Sequence, residues 1–357
     1  MPRKESLQEI LQKAGKEVGE LLLADGGRAL LLTHGGRILG LYPSGSDENF
    51  FWTHSSINSV QSALEFYTSS NWPNSGGDRT WLAPERELFI RDLTHPWETY
   101  QVPRSLDPGD YVLRKENGLL LLASRMSVAL LQSGITANVE ITKSISPTPN
   151  PLNPVPLLRG SLQYAGYTLR TSLLFESNAC SEGVQLGIWN LLQLRHGGNL
   201  FISTIGCVKP AELFGQVDSV DLLAQDGVLQ YRMRADGTQK IGLYSSSILG
   251  RAGYVYRHNE ATEDLIVRDF QVDPLGCYAD VPWGNPQGRG YCFQACNVNS
   301  SLGQFSELEH HAPALNSRTG YPAPACMDVS RTWAFRGPPD AIKEAAGYLL
   351  FGLIGST

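Results

Sequence analysis

Gly, Pro, Asn or Asp interrupts this chain roughly every ten residues, and that rhythm limits what it can become. Between the breaks lie short runs rich in β-branched, aromatic and aliphatic residues. They include "RALLLTH", "GRILGLYP", "NFFWTH", "GLLLLASR", "ANVEITKSI", "GYTLRTSLLFES", "VLQYRMRA", "LIVRDFQV", "GYCFQACNV" and "QFSELEHH". About fifteen such runs can be counted, almost none of them long enough for a helix. With 36 glycines and 21 prolines to make turns, the pattern predicts an all-β protein with large sheets.

Two segments break the rhythm. In the first twenty residues Leu7, Ile10, Leu11, Ala14 and Val18 recur at helical spacing between charged side chains, which predicts an N-terminal helix over 1–20. Near the other end, Pro338 and Pro339 precede "DAIKEAAGYLLFGL", which predicts a C-terminal helix over 338–357. The proline-rich "SPTPNPLNPVPL" (146–157) has the same strand pattern on both sides, so it is expected to be a long loop inside a single domain spanning 1–357.

Composition narrows the function. Apolar residues make up 42% of the 357 and charged residues 18%, as in an ordered globular protein. A net charge of −6 argues against a nucleic-acid partner, which would call for a basic field. The runs "GLLLLA" and "YLLFGLIG" are too short to span a bilayer, so no membrane association is expected. No apolar core with a cleavage site follows the charged start, and the expected location is cytoplasmic. Cys180, Cys207, Cys277, Cys292, Cys296 and Cys326 form no C-x-x-C pair and are expected to be reduced. No G-x-G-x-x-G, Walker loop, G-x-S-x-G or H-E-x-x-H occurs, and no cofactor is expected.

Two segments carry candidate chemistry. In "SGGDRTWLAPERELF" (75–89), charged Asp78, Arg79 and Glu85 surround Trp81. A tryptophan beside an arginine and carboxylates suits a sugar, whose C–H face stacks on the ring while the polar groups bond its hydroxyls. In an extended chain Arg79 and Trp81 face the same way. The bland alternative is a Gly-Gly turn into an edge strand with a structural Arg–Glu pair. The second segment is "QFSELEHHAPAL" (304–315). Strand parity puts Phe305, Glu307, Glu309 and His311 on one face, and Ser306, Leu308 and His310 on the other. Two carboxylates about 7 Å apart along a strand repel, so one would titrate late and serve as a general base or acid. His311 would add a cation or a proton donor. A metal held by Glu307, Glu309 and His311 matches no standard zinc spacing, and no metal is expected. The bland alternative is a solvated strand end before Pro313. His34, His54, His95, His196 and His258 are scattered and read as surface or packed residues, and Trp189 reads as core.

Four segments in order, "GGRILGLYPSGSDENFFW", "GGDRTWLAPE", "GIWNLLQLRHGG" and "FSELEHHAPAL" followed by "SRTWAF", resemble the galactose mutarotase-like superfamily over roughly residues 20–340. The resemblance implies a β-supersandwich of two large antiparallel sheets with a carbohydrate site on a concave face. It implies a late-strand glutamate base at Glu307 or Glu309, and an arginine that holds the sugar at Arg79. It also implies a mid-chain Asn-His pair. The matching stretch holds Trp189 and Asn190 and no histidine, so the acid would come from His310 or His311, the chemistry would differ, or the site would only bind. The expectation is therefore a protein acting on a sugar or glycoside through Glu307, Glu309 and His311, with Arg79, Trp81, Glu85, Asp78 and His310 as contacts. The alternatives are a carbohydrate binder without turnover and, lower, a metal-dependent glycan enzyme.

Overall fold

The computed structural model describes residues 5–158, 160–175, 185–225, 227–314 and 325–351. In chain order the strands begin with β1 (Val18–Leu22), β2 (Arg28–Leu32), β3 (Arg37–Tyr42), β4 (Asp78–Ala83), β5 (Val112–Glu116) and β6 (Leu119–Leu130). There follow β7 (Ile135–Pro147), β8 (Gln163–Phe175), β9 (Gly187–Arg195), β10 (Asn199–Thr204), β11 (Ala211–Phe214) and β12 (Leu222–Gln225). The last are β13 (Val228–Arg232), β14 (Gly237–Leu243), β15 (Ile248–Arg257), β16 (Glu263–Phe270), β17 (Phe293–Ser300), β18 (Gly303–His311) and β19 (Ala325–Gly337). They form two large antiparallel sheets. One has nine strands in the order β1-β2-β3-β4-β9-β18-β17-β14-β11, and the other ten in the order β12-β13-β10-β15-β16-β19-β8-β7-β6-β5.

The sheets pack face to face. Leu31, Leu41, Leu192, Leu194, Ala295 and Leu308 of the first meet Leu122, Ile145, Leu169, Tyr254, Ile266 and Ala334 of the second in one buried cluster. Among the described residues, two carboxylates gather polar groups across this interface. Arg268 of β16 donates to Asp78 of β4 at 2.6 Å, and Tyr167 of β8 donates to the same carboxylate. Asn190 of β9 and His310 of β18 both meet Asp328 of β19, at 2.9 and 3.0 Å. These two buried carboxylates are tolerated there because each meets a cation or hydrogen-bond donors.

The expected N-terminal helix is shorter than its periodicity suggested. Helix α1 (Leu7–Lys13) is held by a capping box between Ser6 and Glu9. Gly15, with φ +74, turns the chain out of the helix. Val18 therefore belongs to β1, not to the helix. A helix missed in the sequence, α2 (Val60–Thr68), is capped by the Ser59 hydroxyl and buries Ala63, with Val60, Phe66 and Tyr67 half-buried beside it. "NFFWTH" is not a strand: its one bridge joins Thr53 to Gly76, while Phe50 and Phe51 are buried from an irregular stretch. Short turns α3 (Glu85–Leu88) and α4 (Pro96–Thr99) follow β4. Helix α5 (Pro339–Leu350) matches the expected C-terminal helix and packs Ile342, Ala345 and Leu349 against Leu265, Trp333 and Phe335. The remainder of that expected segment, 352–357, lies outside the described residues. The proline-rich stretch joins β7 and β8, which are direct partners in one sheet.

Unlike β6 and β7, which alternate buried and accessible residues, β4 and most of β9 and β18 are buried on both faces. One face packs on the second sheet. The other is covered by the segment after β4 and by the loop before β17, and it holds the candidate site. Among the described residues no helix is long and apolar enough to cross a membrane.

Candidate functional site

Five neighbouring strands, β4, β9, β18, β17 and β14, build the covered face. Register places Trp81, Trp189 and His311 in one row and Arg79, Leu191, Glu309, Gln294 and Gly242 in the next. A third row holds Gln193, Glu307, Cys296 and Lys240. Directly opposed residues in antiparallel strands point to the same side, so these side chains share one surface. The Gly76-Gly77 turn sets its edge. Both residues have positive φ, +100 and +76, and a Cβ on either would lie 2.3–2.4 Å from a backbone oxygen. Only glycine lets the chain pass this close and enter β4 with Arg79 in register. Strand β4 is the fourth of nine, so the edge-strand alternative does not hold.

Arg79 and Glu307 pair across the face at 2.8 Å. The contact is close but not aligned as a hydrogen bond: Glu307 Oε1 and Arg79 Nε and Nη1 have no hydrogen-bond partner among the described residues. The Arg79 guanidinium lies 4.2 Å over the Trp81 ring and 5.5 Å over Trp72. Trp81 is thus a buried support for Arg79, its indole N–H donated to Asp107 at 3.0 Å, and not the open stacking platform expected of it.

Glu309 sits one row away. Its Oε2 accepts from Lys240 Nζ at 3.0 Å and from Trp189 Nε1 at 2.9 Å. Burial pushes the Glu309 carboxyl up from its ordinary 4.5 to about 7, with Lys240 opposing and the neighbouring Glu307 charge adding to the rise. The expected late-titrating carboxylate of the pair is therefore Glu309. Lys240 is itself buried, which alone would lower its pKa. Glu309, Glu85 and Asp280 outweigh that cost and raise its pKa, so it stays charged.

Glu85 lies 3.9 Å from Lys240, and its two oxygens accept from Tyr100 at 3.0 Å and Trp283 at 3.2 Å. Its backbone N–H donates to Asp280 at 2.8 Å, and Gln294 donates to the other Asp280 oxygen. Burial raises both the Glu85 and the Asp280 carboxyl. Glu85 therefore buttresses Lys240, and each of its oxygens already accepts one hydrogen bond from the protein.

His311 stacks on Trp189 with ring centroids 5.4 Å apart, and neither ring nitrogen has a partner among the described residues. Burial, with Lys240 and His310 nearby, drives its pKa well down. It is neutral near pH 7, which runs against the expected cation or proton donor. Asp78 and His310, expected as ligand contacts, point the other way, into the interface between the sheets. There Asp78 meets Arg268 and Tyr167, and His310 meets Asp328.

Cys296 Sγ and oxygens of Glu307 and Glu309 lie within 4.8 Å of one another, close enough to share a metal ion. The grouping takes Cys296 where His311 had been considered. Its chemistry fits a metal poorly. Burial pushes the Cys296 thiol well up, away from the thiolate a metal binds, and Arg79 and Lys240 already supply the positive charge.

Sequence reasoning missed Lys240, Gln193, Gln294 and Asp280. Lys240 carried no signal, because a lone lysine in a strand ordinarily faces water. Asp280 and Trp283 sit in the turn-rich "YADVPWGNPQGRG" (278–290), where the glycines and prolines marked a loop and nothing more. The described cysteines, Cys207, Cys277, Cys292, Cys296 and Cys326, are unpaired; Cys180 lies outside the described residues.

No protein-family model and no curated protein matches this chain. Solved structures do. A galactose mutarotase related enzyme from Lactobacillus acidophilus is 7% identical, with 89% of this chain and 96% of that one covered at a TM-score of 0.44. A GalM/aldose epimerase homologue from C. elegans is 10% identical, covering 90% and 99% at 0.42. A candidate aldose 1-epimerase from Klebsiella pneumoniae is 9% identical, covering 97% and 91% at 0.47. The chain resembles galactose mutarotase-like structures. At these identities and scores the likeness assigns no residue and no activity, and the site rests on its own atoms.

Proposed function

We propose that the covered face is a carbohydrate site and that Glu309 is its proton-transfer group, acting on a sugar or glycoside. One observation carries the reading. Arg79, Gln193, Gln294, Glu307 and His311, all on this face, keep buried polar atoms with no hydrogen-bond partner among the described residues, as does Trp72 Nε1 beside Arg79. An unpaired buried polar atom costs about 1–3 kcal/mol. The set mixes donors with acceptors, and sugar hydroxyls, which both donate and accept, are its chemical complement.

Charge narrows the ligand. Two cations, Arg79 and Lys240, stand against four carboxylates, Glu85, Asp280, Glu307 and Glu309. An acidic surplus disfavours a phosphorylated or uronic sugar and favours a neutral one. Glu309, titrating near neutrality, takes a proton from a sugar hydroxyl or returns one, and Lys240 at 3.0 Å stabilises the carboxylate left behind. The four-motif sequence resemblance points to the same ligand class.

A second reading is a binder without turnover. It is favoured by the neutral state of His311 and by Trp189 and Asn190 standing where an Asn-His pair would be. Anomer exchange of glucose and galactose followed by NMR separates the two. Exchange above background that is lost in Glu309→Gln supports turnover. Background exchange with binding still seen by calorimetry leaves the binder. No binding of any neutral sugar removes both.

A further inference from the structure

We propose that Trp97 is the platform for a second sugar unit, so that the ligand of this site is an oligosaccharide or glycan end rather than a free monosaccharide. The proposal rests on the reading of the covered face as a carbohydrate site and specifies the ligand it takes.

Trp97 is 58% exposed, the one tryptophan among the described residues that remains so open. An isolated surface indole would be unremarkable in a disordered loop, but this one is held. Its ring meets Phe214 edge-on at 4.9 Å, Trp283 at 5.1 Å and Tyr100 at 6.4 Å. The short turn α4 that carries it is fastened at both ends. Asp92 accepts from the Thr94 backbone at 2.8 Å and donates its own N–H to Thr99 Oγ1 at 3.0 Å, and Gln101 N–H bonds Phe89 O at 2.8 Å. A large ring kept rigid with much of its surface in water is preorganised for a flat apolar partner, because little side-chain entropy remains to be lost on contact.

Its position says which partner. Trp283, against Trp97, donates its indole N–H to Glu85 at 3.2 Å, and Glu85 faces Lys240. Phe214, also against Trp97, lies 5.8 Å from the Lys240 ammonium. Lys240 is the group that pairs with Glu309. The open ring thus stands one aromatic layer outside the proton-transfer carboxylate, at the solvent side of the same constellation. Trp81, inside, is already covered by Arg79 and cannot take this role. The C–H face of a pyranose stacks on an indole face, so a sugar linked to one held at Glu309 and Glu307 would have its platform at Trp97.

The test is calorimetric titration of the full chain with glucose, galactose, maltotriose and lactose, comparing wild type, Trp97→Ala, Trp97→Phe and Glu307→Gln. One of the longer sugars is expected to bind roughly threefold to tenfold more tightly than its monosaccharide unit, the range an aromatic contact supplies. Trp97→Ala should bring that affinity down to the monosaccharide level, and Trp97→Phe should keep part of it. A longer-to-shorter affinity ratio that is the same in wild type and Trp97→Ala, with monosaccharide binding still dependent on Glu307, overturns this proposal and leaves the site reading standing. No binding of any of the four overturns the site reading and this proposal with it.

Discussion

Glu309 and Lys240 lie two strands apart in the first sheet, and their charged atoms meet at 3.0 Å with both side chains almost wholly buried. Each sets the other's state. The carboxylate keeps the lysine charged against its burial, and the lysine limits how far burial can raise the carboxyl.

Lys240→Met should therefore destabilise strongly. It leaves Glu309, Glu85 and Asp280 buried with their shared cation gone, and breaking such a pair from one side costs about 3–5 kcal/mol. Chemical denaturation at pH 7.5 would measure the loss. The deficit should shrink at pH 5, where Glu309, its carboxyl raised to about 7, takes up a proton and needs no counter-charge.

The raised pKa of Glu309 has a defined sign in stability. Its folded value of about 7 lies above its ordinary 4.5. Between these two the folded protein holds a proton that the unfolded chain has released, so the contribution of this group is full below about pH 4.5 and is lost as pH rises through 7. Relative to wild type, Glu309→Gln should gain stability as pH goes from 5 to 8, read from melting temperatures across that range. If the protein turns over a sugar with Glu309 as base, its rate should climb through a midpoint near pH 7, and the variant should lack that limb.

Arg79 and Glu307 should couple in a double-mutant cycle. Arg79→Met leaves a carboxylate and Glu307→Gln leaves a guanidinium, each poorly solvated, so the two losses should not add. A coupling of about 1–3 kcal/mol is expected from urea unfolding of both single variants and the double. A coupling near zero would mean that the misaligned 2.8 Å contact contributes nothing.

Asp78→Asn separates structure from ligand contact. Asp78 anchors Arg268 and Tyr167 between the sheets. Neutralising it should cost about 3–5 kcal/mol by uncovering Arg268, while sugar affinity per folded molecule stays at the wild-type value. A selective loss of sugar affinity in a variant of normal stability would return Asp78 to the ligand side.

Much of this was legible in the sequence, and the limits have physical causes. The spacing of turn residues announced an all-β chain, because a segment interrupted every ten residues has room for a strand and a turn. Period two along "FSELEHH" separated Glu307, Glu309 and His311 from Leu308 and His310, and the same period in "DRTW" put Arg79 with Trp81; both groupings stand in the structure. The end of α1 was misjudged because helical spacing continued to Val18 across Gly15, and a left-handed φ outweighs an apolar pattern.

Parity is a property of one strand and follows from local backbone geometry, so the sequence by itself could determine which side chains share a face. It could not say what lies beside or above that face. Strand β14 is brought next to β17, and β17 next to β18, by pairing across the sheet, and only this carries Lys240 to Glu309. The loop holding Asp280 and Trp283 reaches Glu85 from almost two hundred residues away. Burial of the face by these distant segments raised Glu309, neutralised His311 and closed Trp81 beneath Arg79. Desolvation depends on everything packed around a group, and that is settled only when the chain has folded.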